Sequence, residues 1–205
     1  MKLYYSPNLN PRVAVAVARY LESPLEFVRA DPQNPANTEA FKPLNPNALV
    51  PVLEEDDGTT IWEADAIACR LSMLVGSDFW RMDAATPHMV QWLSWSAQHL
   101  NRAGGTVYFD RLICPKYGIP REPAETVERA AKRFHALMKI ADAALEGRRW
   151  LLGDRISYAD FRVGTCLPFA DEAELPLDGL ENIRRWRAQL NEIPAWVDPF
   201  KGLTI

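Results

Sequence analysis

Three short stretches carry side chains able to do chemistry. The first is Ser6-Pro7-Asn8-Leu9-Asn10-Pro11, one hydroxyl and two amides ahead of a helix start. Asn10 followed by Pro11 reads as an N-cap with proline in the first helical position, which opens helix N–H groups beside these donors. The second is Glu63-Ala64-Asp65. A helix starting there offers free N–H groups and a positive dipole end, a seat for a carboxylate; the same acids are also ordinary first-turn residues that favour the dipole. The third is Trp95, His99 and Arg102, on one helix face by their four- and three-residue spacing. His99 is the histidine placed to act as a general base, against the plainer role of a solvated helix residue. His88 and His135 read as surface residues. Between these stretches, Val50-Pro51-Val52-Leu53 sets a proline inside an apolar strand pattern, where it has no N–H for a sheet ladder.

Elements must hold these residues in place, and their order can be read. Lys2–Tyr5 is a strand ended by Ser6-Pro7-Asn8, and 12–21 is a helix buried on most sides, favoured over a strand by its cap, length and alanines. Residues 25–29 form a second strand, and a short helix lies around Thr38–Phe41. Residues 51–55 and 59–62 flank Asp57-Gly58, a hairpin signal. A helix then runs from Glu63 to about Leu74, with Ala66, Ile67, Cys69 and Leu71 inward. The order is βαβαββα over residues 1–75. Residues 76–86 are a linker, and 87–205 are helical. In the latter, Val127, Ala131, Phe134, Met138, Ala141 and Leu145 make one core stripe. Ser157 with Asp160 forms a capping box, and Trp186 turns inward from the basic run 184–187.

Composition bounds the function. With 205 residues, 48% of them hydrophobic and 24% charged, the chain can bury a proper core. A net charge of −4 gives no reason to expect nucleic acid or an anionic membrane as partner. The uncharged run 84–101 is interrupted by Thr86, Pro87, His88 and Gln91, so a membrane span is not expected. The three cysteines are far apart, without a CxxC or histidines at metal spacing. That points to packed thiols in a reducing compartment, with no metal or redox cofactor. The expected location is the cytoplasm.

The stretch 44–71, with Val-Pro at the start of its third strand and an acidic helix start after the fourth, resembles the cytosolic glutathione transferase superfamily, bacterial type. So do "WLLGDRISYADF" at 150–161 and "RWRAQLNEIPAW" at 185–196. The resemblance covers the whole chain. It implies an α/β plus all-α fold: a thioredoxin-like domain (1–75), a linker (76–86) and an all-helical domain (87–205) that contributes the second-substrate pocket. It implies a homodimer with the active site between the two domains. The activity implied is glutathione transfer, in which a stabilised thiolate attacks a small apolar electrophile. Isomerisation, dehalogenation, or a non-catalytic protein-interaction module like the elongation factor gamma subunit are the alternatives.

The same resemblance assigns roles. A cis Val50-Pro51 bond would leave the Val50 backbone free to pair with the cysteine of glutathione. Ala64 N–H would seat the γ-glutamyl carboxylate, Glu63 its amine and Lys42 the glycine carboxylate. The chain departs from the pattern at four places: Ala64 replaces a serine, Leu49 a Gln or Lys, Ala48 a Gly, and an asparagine the activating hydroxyl or thiol. Asn8 or Asn10 would then donate to the thiolate, with Ser6 in reserve and Tyr5 otherwise in the sheet. Trp95, His99 and Arg102 would line the second-substrate pocket.

Overall fold

The computed structural model describes residues 1–205, which fall into two compact units: Met1–Trp80 together with Ile193–Ile205, and Arg81–Glu192. The first unit runs β1 (Lys2–Tyr5), α1 (Leu9–Tyr20), β2 (Glu26–Arg29), α2 (Pro35–Phe41), β3 (Val52–Glu54), β4 (Thr60–Trp62) and α3 (Ala64–Leu74), the expected βαβαββα order. Its sheet is mixed, in the order β2-β1-β3-β4. Strand β1 lies parallel to β2, with Leu3 opposite Phe27, and antiparallel to β3, with Leu3 opposite Leu53. The β3–β4 hairpin closes where the sequence marks it, with Gly58 at φ +83 and the Asp57 carboxylate accepting the Thr59 N–H at 2.9 Å.

Helix α1 buries every residue from Pro11 to Ala18. Its small Val and Ala side chains let it pack against β1 and α3 at once, which settles the strand-or-helix ambiguity of this alternating stretch in favour of helix. Helix α3 buries Ala64, Ile67, Ala68, Leu71 and Ser72. Ala66, read as inward from the sequence, is exposed and Cys69 is half-buried. The phase set by Ala64 and carried by steps of three and four excludes them.

The boundaries differ from the reading 1–75, 76–86 and 87–205. Phe79 is buried with its ring 4.8 Å from that of Tyr20, so the first unit extends to Trp80. The C-terminal segment also returns to it. Buried Arg12 donates to the carbonyls of Trp196 and Val197 and lies over the Trp196 ring at 5.0 Å. Arg19 donates to the Lys201 carbonyl at 2.8 Å, and Tyr5 Oη to the Thr204 carbonyl at 2.7 Å. Two arginines on α1 thus satisfy carbonyls that would otherwise end unpaired.

The second unit is helical. Helix α4 (Thr86–Trp95) continues through a π-helical turn (Ser96–Leu100), α5 (Asn101–Tyr108), a second π-helical turn (Phe109–Ile113) and α6 (Cys114–Tyr117). Helix α7 (Ala124–Ala144) buries Val127, Phe134, Leu137, Met138 and Ala141, close to the predicted stripe, with Ala131 half-buried. Gly104 of α5 sits where an added Cβ would lie 2.8 Å from the Phe134 ring and 2.9 Å from Cys166 Sγ, which explains a glycine in mid-helix. Helices α8 (Tyr158–Val163) and α9 (Glu181–Leu190) meet at Asp160. Its carboxylate is wholly buried and accepts from Leu151 N–H, Ser157 N–H and hydroxyl, and Trp186 Nε1. Burial pushes its pKa up to about 6 against the pull of those donors. No helix is long and apolar enough to cross a membrane.

Candidate active site

Strand β1 ends by burying Tyr5, whose ring stacks on Phe200 at 5.6 Å while its hydroxyl is held by Thr204. Tyr5 is therefore a structural residue, and the chain leaves the sheet at Ser6. The Ser6 carbonyl accepts the Asn8 N–H at 2.8 Å. Asn8 is extended (φ −137, ψ 170), and its side-chain oxygen accepts the Leu9 N–H at 2.7 Å. Asn8, not Asn10, is the N-cap, and the helix begins two residues before Pro11. Proline fits there because the first N–H groups of a helix have no intrahelical acceptor to lose. The first backbone bond, Arg12 N–H to Asn8 carbonyl at 2.8 Å, follows directly. Asn10 is exposed on the first turn.

The cap fixes the chemistry of Asn8. Since its oxygen takes the Leu9 N–H, its Nδ2 is the group left to donate. The half-buried Ser6 hydroxyl stands two residues away.

A second loop supplies the facing wall. Buried Asn45 organises it: its Nδ2 donates to the Leu49 carbonyl at 2.8 Å, and its oxygen accepts from Asn47 N–H at 3.0 Å. Ala48 is left-handed at φ +49, a conformation that costs a residue with a Cβ about 1 kcal/mol or more and explains why glycine would suit the position. The Val50-Pro51 bond is cis. The ladder to β1 and β4 begins only at Val52, so the Val50 N–H and carbonyl lie outside the sheet's hydrogen bonds. Ser6, Asn8, Asn10, Leu49 and Val50 line one cavity of about 230 Å³, together with residues 31–33.

The remaining residues assigned to this site stand apart from that lining. Pro51 is buried. Lys42, just after the last residue of α2, is exposed and paired with Glu39 three residues back. Glu63 precedes α3 at φ +73, ψ 129, left-handed without being glycine, and no side chain caps the helix. The first N–H groups of α3 are thus left without a side-chain acceptor, behind a residue whose positive φ disfavours a side chain. Ala64 is buried beside it.

In the helical unit the expected face is split. Trp95 packs edge-on against Trp92, with ring centroids 5.2 Å apart. His99 and Arg102 instead line a groove of about 460 Å³ with Thr106, Arg129 and Arg133, to which Trp95 does not contribute. The π-helical turn at Ser96–Leu100 is the cause: its wider winding rotates everything after it relative to a straight α-helix. Asn101 donates to the Arg162 carbonyl at 3.2 Å and serves packing. Cys69, Cys114 and Cys166 are free thiols; burial raises the pKa of Cys69 and pushes that of Cys166 up to about 12, so neither is a ready nucleophile.

The sequence reading missed the Asp31–Gln33 wall and the organising role of Asn45. Asn34-Pro35 does mark the start of α2, but nothing local shows that the segment before it reaches Ser6.

Two family models match the chain: "Glutathione S-transferase, N-terminal domain" over residues 14–72 and "Glutathione S-transferase, C-terminal domain" over 124–197. Glutathione S-transferase GstB of Escherichia coli (strain K12) is 29% identical over 197 residues, covering 92% of this chain and 91% of its own. Elongation factor 1-gamma of Homo sapiens is 28% identical over 165 residues, 78% of this chain but 36% of that protein. Among solved structures, a glutathione S-transferase from Rhodospirillum rubrum F11 superposes with a TM-score of 0.86 at 22% identity, covering 100% of this chain and 93% of its own. A glutathione S-transferase domain-containing protein from Marinobacter aquaeolei VT8 gives 0.79 at 25% identity, covering 96% and 100%.

Proposed function

The chain belongs to the glutathione S-transferase superfamily, and from that premise we propose that it is a glutathione transferase whose first unit binds the tripeptide and lowers the pKa of its thiol. The observation that carries this reading is the meeting of Ser6, Asn8 and Val50 on one cavity beside the N-terminus of α1. The cysteine of glutathione pairs with the Val50 N–H and carbonyl, which the sheet leaves unused. Its sulfur then faces Asn8 Nδ2 and the Ser6 hydroxyl, with the positive end of α1 behind them. Bringing a thiol from about 8.5 to about 6.5 requires roughly 2.7 kcal/mol of preference for the thiolate. Two hydrogen bonds to a charged group, each worth about 1.5–3 kcal/mol, suffice. The thiolate sulfur forms a bond to the electrophilic carbon, and the leaving group departs with its electron pair.

The open start of α3 seats the γ-glutamyl carboxylate on the Ala64 N–H, and the Glu63 carboxylate takes the α-amino group. Exposed Trp62, Met73, Leu74 and Val75 on the first unit favour a homodimer. Three unpaired cysteines favour the cytoplasm.

A second reading, a non-catalytic interaction module, is favoured by the similarity to elongation factor 1-gamma and by the pairing of Lys42 with Glu39. Titrating the protein with glutathione across pH while following thiolate absorbance separates the two. A bound thiolate well below the free thiol's pKa, reduced by Asn8→Ala more than by Asn10→Ala, supports the enzyme. Binding without any thiolate, or no binding, favours the module.

A further inference from the structure

Leu49 and Val50 line the cavity, yet Leu49 is exposed and the ladder begins only at Val52. What holds this short segment is a side chain that does not line the cavity itself. Asn45 is 3% exposed, and its Nδ2 donates to the Leu49 carbonyl at 2.8 Å. Its oxygen accepts from Asn47 N–H at 3.0 Å and from Asn47 Nδ2 at 3.1 Å, while its carbonyl takes the Ala48 N–H at 2.8 Å. The amide is thus used at both ends, the oxygen to close the turn and the nitrogen to reach past it. Asn45 is anchored in turn. Its N–H donates to the carbonyl of buried Phe41 at 3.1 Å, and the Phe41 ring meets Tyr4 of β1 edge-on, with centroids 5.8 Å apart.

The Leu49 carbonyl and the Val50 N–H belong to one peptide unit. That unit is trans and planar, so the two groups point in opposite directions. A hydrogen bond that fixes the carbonyl therefore fixes the N–H, directed away from Asn45. It also polarises the unit, which strengthens the N–H as a donor. We propose that Asn45 is a positioning residue for the tripeptide: by holding the Leu49 carbonyl it aims the Val50 N–H at the cysteine backbone of glutathione. This rests on the glutathione reading above. The contact it controls involves no sulfur, so Asn45 sets affinity for the peptide while Asn8 sets ionisation of the thiol. Free glutathione and its S-substituted product are then recognised alike through this one bond.

The test uses Asn45→Asp in the full chain. Aspartate keeps the shape and the oxygen that takes the Asn47 N–H, but sets an acceptor against the Leu49 carbonyl where a donor stood. Calorimetric titration at neutral pH should show about tenfold weaker binding of both glutathione and S-methylglutathione, with the stoichiometry kept. The pKa of the bound thiol, followed by thiolate absorbance, should stay as in the unmodified chain. Binding within about twofold of the unmodified chain overturns the inference. So does a loss confined to glutathione, or one in which the thiol pKa rises too, since Asn45 would then act on the sulfur. A fall in stoichiometry at unchanged affinity also overturns it, because Asn45 would then serve the fold alone. A second measurement needs no variant. On adding S-methylglutathione to the unmodified chain, the Asn45 side-chain amide protons should shift downfield in the nuclear magnetic resonance spectrum, coupled through the shared peptide unit. Amide protons that stay in place while Val50 moves overturn the inference as well. Failure of the unmodified chain to bind either peptide overturns the glutathione reading itself, and this inference with it.

Discussion

Two helix starts in this protein are built in opposite ways. Helix α8 begins at Ser157, extended at φ −141 and ψ 172, with Asp160 three residues on returning its carboxylate to the Ser157 N–H at 2.9 Å. Helix α3 begins at Glu63, left-handed at φ +73, with Ala66 in the place where a box needs an acid and no side chain closing the N–H groups. The first satisfies itself in a dry core, while the second is left for something else to satisfy. A closed start contributes stability; the open one, at a cost in stability, is where the proposed seat for the γ-glutamyl carboxylate lies.

The largest effect expected from that contrast is at Asp160. Asp160→Ala strands the Leu151 and Ser157 N–H groups and the Trp186 indole, a loss of about 3–5 kcal/mol. Denaturant unfolding should show it, while glutathione affinity of the folded fraction stays the same. The pH dependence has a definite sign. Burial raises the Asp160 pKa to about 6, above the ordinary ~3.9 of an unfolded chain, so the folded state keeps this proton to higher pH. This group's contribution to stability is therefore greatest at low pH. It is lost as pH rises from about 4 through about 6, on the order of 3 kcal/mol. Asp160→Asn is destabilised throughout, and its deficit against the unmodified chain should narrow across that window. A deficit that widens with pH would mean the four donors outweigh burial.

Next in size, Ala64→Ser restores a hydroxyl to the open start of α3. It should tighten glutathione binding by about tenfold, roughly 1.5 kcal/mol, with little change in unfolding. Unchanged affinity would break the comparison, since α3 would then be open without being a binding site. Asn8→Ala removes both a cap and a donor. We expect about 1 kcal/mol less stability and a bound thiol whose pKa rises toward the free value, read from thiolate absorbance. Smallest is Glu63→Gly. Relief of the left-handed strain, partly offset by glycine's backbone entropy, should raise stability by about 0.5 kcal/mol while weakening glutathione binding. A variant that gains stability with no loss of binding would make Glu63 a strained residue without a function.

Much of this contrast could be read before the structure. Ser157 and Asp160 announce their box through spacing alone, and the Asn, Pro and Gly signals place the elements of the first unit in the right order. The candidate site was legible as a set of loops but not as a set of contacts. The sequence pointed to Asn10 as the cap, yet it is the Asn8 side chain that takes the Leu9 N–H, since the helix starts two residues before Pro11. Lys42 looked available because residue spacing alone does not show that its side chain pairs with Glu39 three residues back. Trp95, His99 and Arg102 share a face only in a straight α-helix, and the π-helical turn that separates them has no marker in the sequence.

The sequence by itself determined what is decided within a turn or two of chain: strand and helix order, the Gly58 hairpin, the capping box, the inward Trp186 and the family likeness. These depend on φ/ψ preferences and on hydrogen bonds between near neighbours, which local residue types dictate. The tertiary structure alone decided that the C-terminal segment packs with the first unit through Arg12, Arg19 and Tyr5, and that Val50, Ser6, Asn8 and Asp31 line one cavity. Each of these joins residues distant along the chain, and such pairings form only when burial of the whole unit compensates the entropy of closing long loops.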